Sequence, residues 1–259
     1  MTEERAGIIK EHIQKTKDGI LAIDDTLSHK TGEKIEGVDY FFDHRNHRYT
    51  LAHQMVSSQF VTERYHLPLN WRLYEKEAKT GKEHFKSKLD LAVELIKEAL
   101  SWDIPFSIVV ADSWYFCQKI IDYLASISKF WIFASKSNRK VSVKGKWMKL
   151  SEYVKTVPSE SFKKLSLAKA DGQTVDVWSF SGTLRMHKVG RVKVVIFFLN
   201  ASLKDSPFYL VTNKKQWPME KILACYLRRW SIETFYRHGG RRALTLLHLL
   251  GLWIFPEEL

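Results

Sequence analysis

Residues 20–26, ILAIDDT, set four apolar positions ahead of two aspartates, which predicts a short buried strand closing on acid. GVDYFFDHRNHRYT (37–50) places a turn at His44–Asn46, and LAHQMVSSQFV (51–61) has strand character, so the chain opens as an antiparallel meander. KEHFKSKLDLAVELIKEAL (82–100) changes period: Phe85, Leu89, Ala92, Ile96 and Ala99 recur every three or four residues and predict a helix with one buried face. IPFSIVVAD (104–112) is an unbroken apolar run ended by Asp112, as expected of a central strand. WYFCQKIIDYLA (114–125) then predicts a helix and KFWIFAS (129–135) a strand, completing a strand, helix, strand unit. VDVWSFSG, KVVIFFLN and PFYLVTN follow as β-rich runs separated by turn-prone steps. MEKILACYLRRWSIETFYRH (219–238) returns to helix, with Pro218 suited to its first turn. After the Gly239–Gly240 pair the leucine-rich tail is unlike the rest of the chain. There is no internal repeat and no low-complexity linker.

Composition alters this picture in one place. The 259 residues are 45% hydrophobic, enough for a substantial core. No window has the apolar length of a bilayer span, and the polar N-terminus lacks the apolar segment of a signal peptide; the expectation is a cytoplasmic protein with no membrane partner. Cys117 and Cys225 lie far apart in apolar helical patterns and are expected as buried free thiols, without a disulfide framework or a zinc site. The formal charge is +12, and residues 130–215 alone hold 17 Lys/Arg against 5 Asp/Glu, an excess equal to that of the whole chain. Trp131, Trp147, Trp178 and Phe162 are interleaved with these cations, a pattern that suits a polyanion such as DNA. Lys144, Lys146 and Lys149 are its candidate phosphate contacts; a merely soluble basic surface would read the same way.

Three acids stand out: Asp25 or its neighbour Asp24, Asp112, and Glu233. Two strand ends and a helix packed on the same sheet can bring three carboxylates together, the oxygen donor set of a Mg²⁺ or Mn²⁺ pair. Each also has an ordinary structural role open to it. Asp112 suits a helix N-cap or turn, and Glu233 lies four residues after Arg229, the spacing of a helical ion pair.

The order and context of IDDT (23–26), VVADSWY (109–115) and YLRRWSIETFYR (226–237) resemble the DDE transposases of bacterial and archaeal insertion sequences, in the group with a Tyr-x2-Arg-x3-Glu-x6-Lys signature. Tyr226, Arg229 and Glu233 match that spacing; LPLNWRLY (67–74) and LVTN (210–213) also look familial, so the resemblance spans about residues 20–237. It implies an α/β fold, an RNase H-like mixed sheet with flanking helices and a β-rich insertion between the second and third acids. It implies Asp25, Asp112 and Glu233 as catalytic ligands of two Mg²⁺ or Mn²⁺ ions. Asp25 is preferred to Asp24 because the family's aspartate directly precedes a small hydroxyl residue, here Thr26. Tyr226 and Arg229 are implied to hold the DNA strand, and the implied partner is double-stranded DNA, at element ends and target, bound by a homodimer.

The expected organisation is a first part of the catalytic core (1–129), a basic β-rich insertion (130–215), the core helix carrying the third acid (216–238) and an anomalous tail (239–259). The signature's lysine would fall on Gly240, which points to a frame break after Arg237. The first catalytic strand begins about twenty residues from Met1, leaving little room for a preceding repeat-binding domain. The expectation is therefore a transposase core truncated at both ends and impaired by it. Two alternatives stand beside it: an inactive relic that at most binds DNA, and a stand-alone metal-dependent nuclease.

Overall fold

The computed structural model describes residue 13 and residues 19–44, 46–62, 66–168 and 174–229. The chain divides into two compact units, residues 1–106 and 107–259. Both are mixed α/β, mostly antiparallel sheet with few helices.

In the first unit β1 (Gly19–His29), β2 (Asp39–Asp43), β3 (Arg48–Val61) and β4 (His66–Tyr74) form an antiparallel sheet with the long β3 at its centre. β1 runs along one edge of β3, from Ile20 opposite Val61 to His29 opposite Ala52. β2 pairs with Arg48–Ala52 and β4 with Gln54–Val61. The β3–β4 ladder carries a register shift at Ser58/Gln59. β1 is longer than its apolar run predicted. It continues through both aspartates to His29, so Asp25 is a mid-strand residue and not a strand end. Its first five residues are buried and its next five only half-buried, so the polar step marks loss of cover, not loss of pairing.

A short helix, α1 (Glu77–Thr80), precedes α2 (Lys88–Ser101). α2 starts six residues later than the first residue of its periodic segment, because Ser87 caps it: the Ser87 Oγ accepts from the Asp90 N–H while the Asp90 carboxylate accepts from the Ser87 N–H. The buried face is Leu91, Ala92, Leu95, Ile96 and Ala99. Phe85 therefore lies outside the helix and Leu89 at its margin, a correction to the predicted face. α2 covers the sheet face carrying Asn70 and Arg72: Asn70 donates to Glu98 Oε1 at 2.9 Å, and Arg72 pairs with Glu98 Oε2 at 2.8 Å.

In the second unit β5 (Phe106–Ala111), α3 (Gln118–Ser126) and β6 (Phe130–Ala134) form the expected strand, helix, strand unit, with β5 and β6 parallel. Residues 114–117, read as helix, are not helical: Tyr115 and Phe116 are buried as core plugs and Cys117 is the N-cap of α3. The sheet continues antiparallel from β6 to β12 (Phe208–Thr212), β11 (Gly190–Phe198) and β10 (Thr174–Met186). β10 pairs with β9 (Lys163–Ala168) and briefly with β7 (Lys140–Val143), whose hairpin partner β8 (Lys146–Lys149) forms the sheet's edge among the described residues. A short helix, α4 (Leu150–Tyr153), follows β8. Trp131 and Phe133 stack at 5.2 Å and Phe116 leans on both. Thr212 Oγ1 donates to the Trp131 carbonyl and Asn213 Oδ1 accepts from its N–H, so two polar residues of the LVTN segment lock β12 to β6. The last described helix, α5 (Met219–Leu227), has Pro218 as N-cap, one position before the first turn. Cys225 is buried, whereas Cys117, expected buried as well, is only partly so, and neither is in a disulfide. Among the described residues no helix is long and apolar enough to cross a membrane.

Candidate active site

Strand alternation decides which aspartate of the doublet faces what. Asp25 is opposite Val56 and Asp24 opposite Ser57, so the two carboxylates leave opposite faces of the sheet. Asp25 is on the face covered by α2. Its Oδ2 accepts from Gln54 Nε2 at 2.6 Å and from Lys88 Nζ at 2.8 Å. Gln54 is 5% exposed, and the Asp25 and Lys88 side chains are each 20% exposed. On the other face Asp24 Oδ1 accepts from the Asp25 N–H at 3.0 Å, which ties that carboxylate to its own backbone.

Neither Gln54 nor Lys88 was among the residues expected at the site. Lys88 is 63 positions from Asp25, so spacing could not reveal it. One signal existed: it is the first residue of α2, where the helix dipole disfavours a cation. The ammonium is held there by Asp25 and lies 5.7 Å from the centre of the Tyr74 ring.

Asp112 follows the last residue of β5, as expected, and its Oδ1 accepts from the Trp114 N–H at 2.8 Å. It is a turn residue and does not cap α3. Ser113, next to it, lines a cavity of about 490 Å³ in the second unit, together with Ser135, Ser137, Ser151, Tyr209 and Tyr226. Tyr226 and Arg229 are both 7% exposed, with the Arg229 guanidinium carbon 5.4 Å from the centre of the Tyr226 ring. Arg139 donates to the Phe116 carbonyl and stacks over its ring at 4.6 Å. Burial pushes the Tyr209 and Tyr153 hydroxyls above their ordinary range.

The expected phosphate contacts sit on the β7–β8 hairpin. Lys144 and Gly145 form its turn with φ of 48° and 83°, the two positive values of a type I′ connection. Lys144, Lys146 and Lys149 are exposed, and Trp147, 47% exposed, packs edge-on against His187 at 5.7 Å. Lys149 stands directly opposite Lys140, and Lys146 points from the other face. Lysines on an edge strand also block edge-to-edge pairing, an ordinary reason for their presence.

Of the three expected ligands, Asp25 belongs to the first unit and Asp112 to the second. Glu233, the continuation of its helix and the tail 239–259 lie outside the described residues. Among the described residues no three His, Cys, Asp or Glu side chains gather as a metal group. Asp25 supplies one carboxylate there, and its Oδ2 is already taken by the Lys88 ammonium and the Gln54 amide.

The family model for DDE superfamily endonucleases matches residues 5–149, more than half of the chain. The chain belongs to the DDE superfamily of endonucleases. The match includes both Asp25 and Asp112 and ends at Lys149. No curated protein sequence matches the chain. Among solved structures, the NurA nuclease from Sulfolobus solfataricus aligns over 89% of this chain and 86% of that one, at 9% identity and a TM-score of 0.35. A similarity that low carries no argument about this DDE endonuclease.

Proposed function

We propose that this DDE endonuclease is the catalytic core of an insertion-sequence transposase, cutting phosphodiesters at element ends and joining the freed 3′ hydroxyl to target DNA. The observation that carries the proposal is the family match across Asp25 and Asp112. The chain order of antiparallel strands, helix, strand, helix and parallel strand over residues 19–134 supports an RNase H-like core. The β-rich segment from β7 to β12 supports the expected insertion between the second and third acids.

In this reading Asp25, Asp112 and Glu233 would hold two Mg²⁺ or Mn²⁺ ions. The ions would supply an activated water and stabilise the attacking and leaving oxygens. Gln54 would fix the Asp25 carboxylate through its 2.6 Å bond, and the Trp114 N–H would do the same for Asp112. Lys144, Lys146 and Lys149 would follow the backbone of double-stranded DNA. Arg229 and Tyr226 would anchor the scissile strand from within the second unit, and paired element ends would be served by a homodimer. No side chain acts as a nucleophile.

Nicking of supercoiled plasmid in Mg²⁺ or Mn²⁺ tests this. Asp112→Asn should abolish it, because the amide cannot replace the anionic ligand. Nicking that survives the substitution would refute the assignment. Salt-dependent DNA binding without nicking by the wild type would leave the inactive relic, and nicking indifferent to element ends would leave the stand-alone nuclease.

A further inference from the structure

We infer that one face of the sheet at β8, β7, β10 and β11 is a seat for double-stranded DNA, with the Arg185–Arg191 pair on one backbone of the duplex and the Lys140–Lys149 pair on the other. The inference rests on the reading of the chain as a DNA-cutting core and names the surface that takes the substrate.

Strand register places these residues. Arg191 lies opposite Arg185, Arg185 opposite Ser142 and Ser142 opposite Trp147, so the four form one row across four strands and leave the same face. Two residues away along β7 and β8, Lys140 lies opposite Lys149 and leaves that face too. Both arginines, both lysines and Trp147 are exposed. The opposite face is the packed one: Val141, Met186 and Val192 are buried, and a Cβ on Gly182 would meet the Tyr153 hydroxyl of α4 at 3.3 Å. On the exposed face the open area ends at Lys193, whose ammonium donates to the Trp217 carbonyl at 2.6 Å.

Like charges directly opposite on neighbouring strands destabilise a sheet, yet this face sets them so twice, at Arg185–Arg191 and at Lys140–Lys149. None of the four forms an ion pair among the described residues. The carboxylate of Glu152, close by in the chain, is engaged by the Lys149 N–H at 3.0 Å in the first turn of α4. Asp176, at the far end of β10, leaves the other face and pairs with Lys164 at 2.7 Å. An anion from outside the chain is what offsets four such cations. Strands lie about 4.8 Å apart and rise about 3.4 Å per residue, so the arginine pair and the lysine pair, two strands and two residues apart, are centred roughly 12 Å from each other. The major groove of B-DNA is also about 12 Å wide, and the two pairs meet phosphates on its two banks. A single strand offers one backbone and satisfies one pair at a time. Guanidinium forks and ammonium groups on a flat sheet bind phosphate and leave base edges unread, so the seat positions the duplex without selecting sequence.

The test is binding of the full chain, without divalent metal, to a short fluorescent duplex and to one of its strands, by anisotropy at a series of salt concentrations. Arg185→Ala with Arg191→Ala, and Lys140→Ala with Lys149→Ala, should each weaken duplex binding about tenfold or more and lower the salt slope by roughly 1.8, two phosphate contacts at about 0.9 each. Each should also erase the preference of the wild type for duplex over single strand. Lys155→Ala with Lys204→Ala removes equal charge from exposed positions outside these strands and should leave slope and preference unchanged. Thermal unfolding of the arginine variant should stay level or rise as the like-charge pair is relieved. Arg185→Gln with Arg191→Gln keeps side-chain bulk and answers the question where the alanine variant does not fold. Pair variants that bind no more weakly than the Lys155/Lys204 variant, or a wild type that takes a single strand as tightly as the duplex, overturn the inference alone. A wild type that binds no duplex at any salt removes the reading as a DNA-cutting core with it.

Discussion

Gly19 opens β1, and its substitution by alanine tests how tightly the strand bearing Asp25 is seated. A Cβ built there would lie 1.9 Å from Phe60 Cε2 and 2.2 Å from Cζ. Gly19 is not among the positive-φ residues, so the backbone would accept alanine and the obstacle is steric alone. Phe60 is fully buried on β3, and the Gly19 N–H is tied to the Pro105 carbonyl at 3.0 Å, so neither side yields freely. Ordinary contact begins near 3.4 Å, and the ring must retreat by more than an ångström into packed core. Overpacking of this kind costs about 1–3 kcal/mol, offset by about 0.4–1 kcal/mol from a stiffer unfolded chain. The expected net loss is roughly 1–2 kcal/mol, read as a lower urea midpoint at unchanged slope. Phe60→Leu supplies the control: in that background Gly19→Ala should cost at least about 0.5 kcal/mol less, as coupled neighbours require. A single substitution within about 0.5 kcal/mol of wild type, or strictly additive costs in the double variant, would refute the reasoning.

Replacing Lys144, Lys146 and Lys149 by alanine should weaken duplex DNA binding and flatten its dependence on salt by up to about one unit for each phosphate no longer neutralised; an unchanged slope in filter binding at several salt concentrations would assign the hairpin an edge-protecting role instead. Asp39 gives a pH prediction. Burial pushes its carboxyl up, but the Tyr40 N–H and the Lys76 ammonium outweigh this and hold it below its ordinary 3.8. A lowered folded value means stability present above the unfolded value and lost as pH falls through the folded one. Wild type should therefore exceed Asp39→Asn in stability at neutral pH, with the gap closing below about pH 4, as measured by urea unfolding at a series of pH values.

The strands were legible because each carries its own pattern, and pattern survives without knowledge of neighbours. β3, β5, β6, β11 and β12 lie where apolar runs put them. Failures came where a partner decided the outcome. Phe85 fits a helical period, yet the Ser87–Asp90 cap starts α2 after it, and Leu91 and Leu95 take the buried face. Tyr115 and Phe116 look helical in isolation, but the Asp112 turn and core packing keep them out of α3. The doublet Asp24–Asp25 ended an apolar run without ending the strand, because β3 pairs with both halves of β1. At the site, Asp112 followed its strand as expected, whereas Gln54 and Lys88 converge on Asp25 through tertiary packing alone.

The adjacent acids on β1 bear on how this strand can change length over generations. Side chains alternate, so Asp24 is no spare for Asp25 while the register holds. Residues 20–23 are apolar and buried on both faces of the strand, so that stretch has no polar side to turn the wrong way. A one-residue insertion within it would advance Asp24 into the place of Asp25, beside Gln54 and Lys88, and put Ile23 where Asp24 had been. Most inherited insertions in a strand erase the function of every residue beyond them. Here the doublet restores a carboxylate to the same spot, giving β1 a tolerance to such events that a single aspartate would lack.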